Sequence, residues 1–368
     1  MVTHGNGMVP GISIGILGGY LGRSVARSVV LVALVLCGLY LSVDLVREAG
    51  DMAAGYGLLE VLTFILRVFP ARLYDLFPFA VLIGGMLALG RLSANSELVA
   101  MRAAGFHQLR ILGYALGPAL LLGLTVMLAG EWLAPKLELD ARLDRERARD
   151  GQVGTVAGQG LWIRDGRLMI QAGILLWNES DEIRFGNLRI YELDDVNSIA
   201  RIVHASAGRH ETGRWVLEGT SVLDARTAEF ATGTDGSVEI ASGLDPGVFQ
   251  ALVTRPRLLP MRDISRIQNY LEANGQDATA YRQAYWRRLL YPLNMLMMLF
   301  SGMALLLRAG RQLSPAVGVF AGVSLGIGFV VFHRLVLGLA PVLPIPFGLT
   351  HLLPAAAFGL LGVYLMRR

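Results

Sequence analysis

Lysine is almost missing from this chain. Lys136 is the only one, and Pro135 precedes it. A Walker phosphate loop needs Gly-Lys-Ser/Thr, so that the lysine reaches the phosphates. ATP hydrolysis by this chain through such a loop is therefore excluded. Cysteine is as scarce. Cys37 stands alone inside an apolar run, which excludes a disulfide-built scaffold. Charge is thin as well. Only 17% of residues are Asp, Glu, Lys or Arg, where a soluble domain carries about a quarter. With 54% hydrophobic residues and a mean hydropathy of +0.50, the chain is neither disordered nor a soluble enzyme.

The deficit of charge is local. Residues 28–43, 76–90, 111–130, 289–307, 312–333 and 335–366 contain no Asp, Glu, Lys or Arg. A helix needs about 20 apolar residues to cross about 30 Å of hydrocarbon. These runs predict six spans, at roughly 26–46, 72–92, 109–134, 284–307, 313–336 and 346–366. The polar stretch between the third and fourth differs from the rest. Residues 136–286 hold 18 basic and 22 acidic side chains, whereas the remainder holds 15 and 7. The basic excess thus flanks apolar spans, which fits membrane topology better than nucleic-acid binding. Arg23, Arg27, Arg91, Arg102, Arg110, Arg308, Arg311, Arg367 and Arg368 fall on one side, opposed there only by Glu97. The positive-inside rule predicts that this side is cytoplasmic, with both termini there and the polar domain outside. The Gly-rich start shows no cleavage site after a proper apolar region, and is expected to be uncleaved.

The expected fold is therefore an α-helical membrane protein of 3+3 spans with an inserted all-β domain. The N-terminal half is 1–135, the external region 136–283 with β-structure at about 150–255, and the C-terminal half 284–368. Leu161-Trp-Ile-Arg, Asp165-Gly166 and Arg167-Leu-Met-Ile predict a hairpin, since Asp-Gly accepts the positive φ of a type I′ turn. Leu188–Leu193, Ile199–Val203 and Arg214–Glu218 read as further short strands of a sandwich or open barrel. Leu137 to Asp150 reads as the third span's helix continuing outwards. Residues 260–283 read as a short polar helix broken at Asn274-Gly275.

Several patterns compete for a functional role. Gly322-Val-Ser324-Leu-Gly326 matches the G-x-S-x-G nucleophile pattern, but it sits inside a span. Gly318, Gly322 and Gly326 are four apart, which makes a small-residue face for close helix packing. No metal-binding pattern stands out, because His204 and His210 are six apart in a β-rich region. His333, near the outer end of span five, reads as structural or interfacial. Ser93 to Phe106 is more informative. Ser93 or Asn95 can cap a short helix, and Leu98, Met101 and Arg102 share one face. This is either a solvated connector or a coupling helix that docks into a partner.

The run Asn95-Ser-Glu-Leu-Val-Ala-Met-Arg-Ala-Ala-Gly105 resembles the cytoplasmic signature of the YjgP/YjgQ permeases, the LptF/LptG family. Gly130-Glu-Trp-Leu-Ala-Pro135, Gln159-Gly-Leu-Trp162 with Asp165-Gly166, and Gly275-Gln-Asp277 with Tyr281 are similar to its LptG branch. The resemblance covers nearly the whole chain. It implies a periplasmic β-jellyroll and two unlike permeases enclosing an outward-open cavity above an LptB-like ATPase dimer. It also implies an LptC-like single-span subunit on the periplasmic side. ATP and Mg²⁺ would sit on that ATPase, and this chain would hold no cofactor. The cargo would be lipopolysaccharide, entering from the outer leaflet of the inner membrane. Asn95, Ser96, Glu97, Met101 and Arg102 would couple to the ATPase, with Glu97 at the family's glutamate. Arg47, Arg142 and Arg145 match basic positions of the family and would meet lipid A phosphates. Leu41 and Glu48 depart from that pattern, standing where relatives often carry basic residues. Asp140, Asp144 and Glu146 offer the arginines a competing role in a solvated helix. Gly318, Gly322 and Gly326 would allow close approach at a lateral gate. An LptF-like partner, a permease for another amphiphile, an envelope scaffold and a hydrolase using Ser324 stay open as alternatives.

Overall fold

A computed structural model describes residues 10–52, 56–150, 161–177, 183–194, 198–211, 214–225, 230–232, 238–241, 256–309, 314–339 and 345–367. The chain divides into two compact units. One takes Met1–Arg47, Ile65–Ala134 and Trp286–Arg368; the other takes Glu48–Phe64 and Pro135–Tyr285. The segment 48–64 was not separable from the membrane spans by composition, since its apolar residues continue theirs.

The first unit holds six helices long and apolar enough to cross a membrane. They are α1 (Pro10–Gly50), α2 (Leu58–Ala94), α4 (Gln108–Trp132), α8 (Tyr291–Ala309), α9 (315–339) and α10 (Phe347–Arg367), with the short α3 (Glu97–Ala103) after α2. α1 and α2 run far beyond the predicted spans 26–46 and 72–92, because amphipathic turns at their ends extend the apolar cores. Proline sets two breaks. Pro135 cannot donate to the carbonyl four residues back. The third span therefore stops at Trp132, and α5 (Ala134–Asp150) is a separate helix rather than its continuation. Pro292 likewise separates α7 (Thr279–Leu289) from α8, so the fourth span begins at Tyr291 rather than at 284.

The core of this unit gathers around α2. Leu21, Val25, Val29 and Val32 of α1 recur at helical spacing and meet Val81, Leu82, Met86 and Leu89, all buried. Met295, Met298, Leu299 and Met303 close the other side. Glycine permits the tightest crossing. A Cβ on Gly84 would lie 2.6 Å from the Val29 Cα and 2.9 Å from the Ser28 carbonyl oxygen. Backbone cannot swing aside as a side chain can, so only glycine fits there.

The second unit contains an antiparallel sheet whose six strands β1 (Leu161–Asp165), β2 (Leu168–Trp177), β3 (Ile183–Leu193), β4 (Ile199–Glu211), β5 (Arg214–Asp224) and β6 (Phe230–Thr232) lie in sequence order. A seventh, β7 (Val238–Ala241), also pairs with β5. Alternation makes one face apolar. Ile170, Ile190 and Val203 pair across three strands, as do Leu188 and Ala205, and all five are buried. The first hairpin turns one residue later than predicted. Asp165 pairs with Leu168, so the loop is Gly166-Arg167, with φ +57° at Gly166. Positive φ at the first loop position alone is the type II′ pattern, not I′. α6 (Met261–Ala273) buries Ile264, Ile267 and Leu271. It ends where Asn274-Gly275 predicted. Gly275 has φ +65°, and the Gln276 and Gly275 amides reach back to the Leu271 and Glu272 carbonyls. That is a Schellman closure.

Candidate functional site: a coupling helix and a set of arginines

α3 is built to be rigid. The chain enters it through Ser96, whose φ of 60° is left-handed. Ser96 makes no side-chain cap, and neither does the predicted Asn95; instead the Asn95 amide donates to Glu97 at 3.1 Å. The helix stops at Gly105 (φ +85°), where the Phe106 amide reaches the Met101 carbonyl and the Gly105 amide that of Arg102. Leu98 and Met101 are buried in the core of the membrane unit. Arg102 donates to the Leu307 carbonyl of α8 at 3.2 Å. Tyr20 of α1, which sequence alone did not connect to this helix, hydrogen-bonds Glu97. One seven-residue helix is thus tied to α1, α2 and α8. Met101 corrects the expected contact set, because it is 4% exposed and anchors the helix instead of presenting a surface. The outward surface is Asn95, Ser96, Ala100 and Ala103, with Glu97 half-buried beside it.

The arginines matched to lipid phosphates have different surroundings. Arg47 is exposed on α1, and among the described residues it forms no ion pair. Arg142 pairs with Glu138 one turn back at 2.6 Å and keeps 40% of its side chain exposed. Arg145 is held by two carboxylates, Glu48 at 2.6 Å and Asp51 at 2.8 Å, and its guanidinium lies over the Phe64 ring. Tyr56, itself buried, donates to Glu48. Burial and the Glu48 carboxylate push the Tyr56 phenol up to about 12, so it stays a donor. Two carboxylates around one guanidinium leave a net negative cluster, which opposes a phosphate there. The partners are not the Asp140, Asp144 and Glu146 suggested by proximity. The Glu138–Arg142 pair was visible in i,i+4 spacing; Glu48, 97 positions from Arg145, was not. The side chains of Glu146 and Arg149, and residues Gln159, Arg311 and Arg368, lie outside the described residues.

Further pairs carry the membrane unit. Asp44 holds Arg72 at 3.0 Å under the Tyr40 ring. Glu131 holds the buried Arg288 at 2.6 Å, and Tyr74 stacks on Tyr291 against Gly130, where a Cβ would strike the Tyr74 ring. This gives the Gly130–Pro135 signature a physical content: space, a counter-ion and a helix break. In the second unit, Tyr270 donates to the Arg164 carbonyl and Asn274 accepts from the Gly166 amide. The hairpin and the Asn274–Tyr281 segment, far apart in sequence, are therefore one contact.

The family of lipopolysaccharide export system permeases LptF/LptG matches residues 19–368. The chain belongs to this family. It is 27% identical over 360 residues to the lipopolysaccharide export system permease protein LptG of Escherichia coli (strain K12), covering 96% of this chain and 98% of that protein. It is 24% identical over 352 residues to the protein of the same name from Haemophilus influenzae (strain ATCC 51907 / DSM 11121 / KW20 / Rd), covering 95% and 97%. Six apolar helices and membership of the LptF/LptG family make it a multi-pass membrane permease.

Two expectations change within that frame. Gly318, Gly322 and Gly326 do pack closely, but against α2 of the same chain. Cβ atoms there would lie 3.3 Å from the Met86 carbonyl oxygen, 3.1 Å from the Met86 sulfur and 3.1 Å from the Phe79 ring. They are not a free gate surface. Ser324 sits mid-helix on α9, not on a strand-to-helix turn, so the nucleophile pattern lacks its geometry. His333 stacks on Phe329 and meets His351 edge-on at 6.2 Å, which is packing within the chain.

Proposed function

We propose that this chain is the LptG-like permease subunit of an inner-membrane transporter. It takes lipopolysaccharide from the outer leaflet and passes it towards a periplasmic bridge. Both termini and α3 are cytoplasmic, and 136–283 is periplasmic. The reading is supported above all by α3, a short helix locked into three spans with a polar surface left outward. A push on Asn95, Ser96 and Glu97 is carried to α1 through Tyr20 and to α8 through Arg102. Such a lever suits an LptB-like ATPase dimer below, which would hold ATP and Mg²⁺. An LptF-like permease would complete the cavity, and an LptC-like subunit would join at the periplasmic side.

Arg47 is the side chain best placed for a lipid A phosphate, since no carboxylate competes for it. Arg142 meets the ligand through its exposed half, with Glu138 orienting it. Arg145 acts by holding Glu48 and Asp51 in place. In purified complex, Glu97→Lys is expected to lose the ATPase or its coupling to lipopolysaccharide release, while the thermal transition of the sheet unit is unchanged. Normal coupled release from that variant would overturn the docking role of α3.

A further inference from the structure

α1 and α2 frame a cavity of about 790 Å³ in the membrane unit, at the opposite end of α1 from Arg47. Its polar lining is Tyr20, Arg23, Ser24, Arg27, Ser28 and Arg91. Three guanidiniums and three hydroxyls converge, and no carboxylate lines the cavity. Among the described residues none of the three arginines forms an ion pair. The first nine residues of the chain contain no Asp or Glu that could supply one. Glu97, the acid nearest in sequence to Arg91, already accepts from Asn95 and Tyr20. Arg23 and Arg27 are four apart on one helix face, a repulsive spacing unless an anion sits between them.

The same face of α1 continues as Leu31 and Leu34, with Val35 beside them, all exposed. Moving towards the membrane interior, this strip reads hydroxyl, guanidinium, guanidinium, aliphatic, aliphatic. That order matches a phosphate head followed by acyl chains. A soluble phosphate has no use for the aliphatic part. We propose that this cavity binds the phosphate headgroup of an anionic phospholipid, whose chains lie along Leu31, Leu34 and Val35. Arginine supplies charge-assisted, bidentate contacts to phosphate, and basic recesses between spans suit such headgroups. The cavity size is that of a small-molecule site. Assigning the lipid to the cytoplasmic leaflet rests on the orientation proposed above; the binding itself does not.

The test uses the purified complex in nanodiscs of phosphatidylcholine and phosphatidylglycerol, where both leaflets are present. Native mass spectrometry counts each lipid retained. The unmodified chain should retain phosphatidylglycerol in preference. Arg91→Gln should lower that preference about fivefold, the increment for one basic side chain at an anionic surface. Arg23→Gln with Arg27→Gln should lower it by more than tenfold, and the paired lysine variants should keep most of it. Arg110→Gln, at the same end but outside the cavity, should leave it unchanged. An equal loss from Arg110→Gln would overturn the site in favour of diffuse surface charge. Displacement of the lipid by inorganic phosphate alone would overturn the headgroup assignment. Loss of a co-purifying protein with lipid preference intact would overturn it in favour of an acidic partner surface.

Discussion

Arginine has opposite fates at the two ends of the membrane unit. At one end, Arg72 and Arg288 are each gripped by a carboxylate, at 3.0 and 2.6 Å, and are largely buried. At the other, Arg23, Arg27 and Arg91 are exposed and converge on a cavity without an acid. The residue type is the same, so the difference lies in whether a carboxylate shares the helix bundle at that depth. A paired arginine is architecture, and removing it strands a buried anion. An unpaired one costs little to change and is available to a ligand.

Substitution can break this contrast. The largest effect is expected from Arg288→Ala, which leaves Glu131 without its partner and should cost roughly 3 kcal/mol. The loss should appear in the thermal midpoint of the detergent-solubilised chain. Arg145→Ala should cost less, about 2 kcal/mol, because the pair is partly solvated. Adding Glu48→Gln to it should recover much of that, since the stranded charge is removed; a double variant as unstable as the single would show that Arg145 acts by packing on Phe64 instead. Arg91→Gln should lie within about 0.5 kcal/mol of the unmodified chain, as surface changes do. A loss as large as that of Arg288→Ala would erase the distinction between the two ends.

The smallest effect concerns pH. Asp277 accepts the Thr279 amide at the start of α7, and its hydrogen bonds to the Thr279 side chain and amide hold its carboxyl below the usual carboxylate range. A lowered folded-state value adds stability that is present above the unfolded value and is lost as pH falls through the folded one. Hydrogen exchange at residues 279–283 should therefore quicken in acid, and Asp277→Ala should remove that dependence.

The spans were legible because hydrocarbon imposes a length and an apolar composition that local sequence displays. The helix breaks at Pro135 and Asn274-Gly275 were equally local. Their consequence at Pro135 was misread because charge density in 137–150 looked continuous with the span. What sequence hid was pairing over distance. Glu48 finds Arg145, Glu131 finds Arg288 and Tyr20 finds Glu97 only once helices are side by side. Facing was hidden for the same reason. Met101 and the Gly318–Gly326 stripe have the composition of contact surfaces, and both do make contacts, but with their own chain.

α1 runs unbroken through 41 residues. Twenty positions separate Arg27 from Arg47, which is about 30 Å of helix and therefore about one hydrocarbon thickness. The helix is a gauge with a cation at each mark. A thicker bilayer would drag one guanidinium below its interface, and a thinner one would force the rod to lean. Lean at one mark is lean at the other, so the depth of the lipid around this protein sets where both of its arginine ends come to rest.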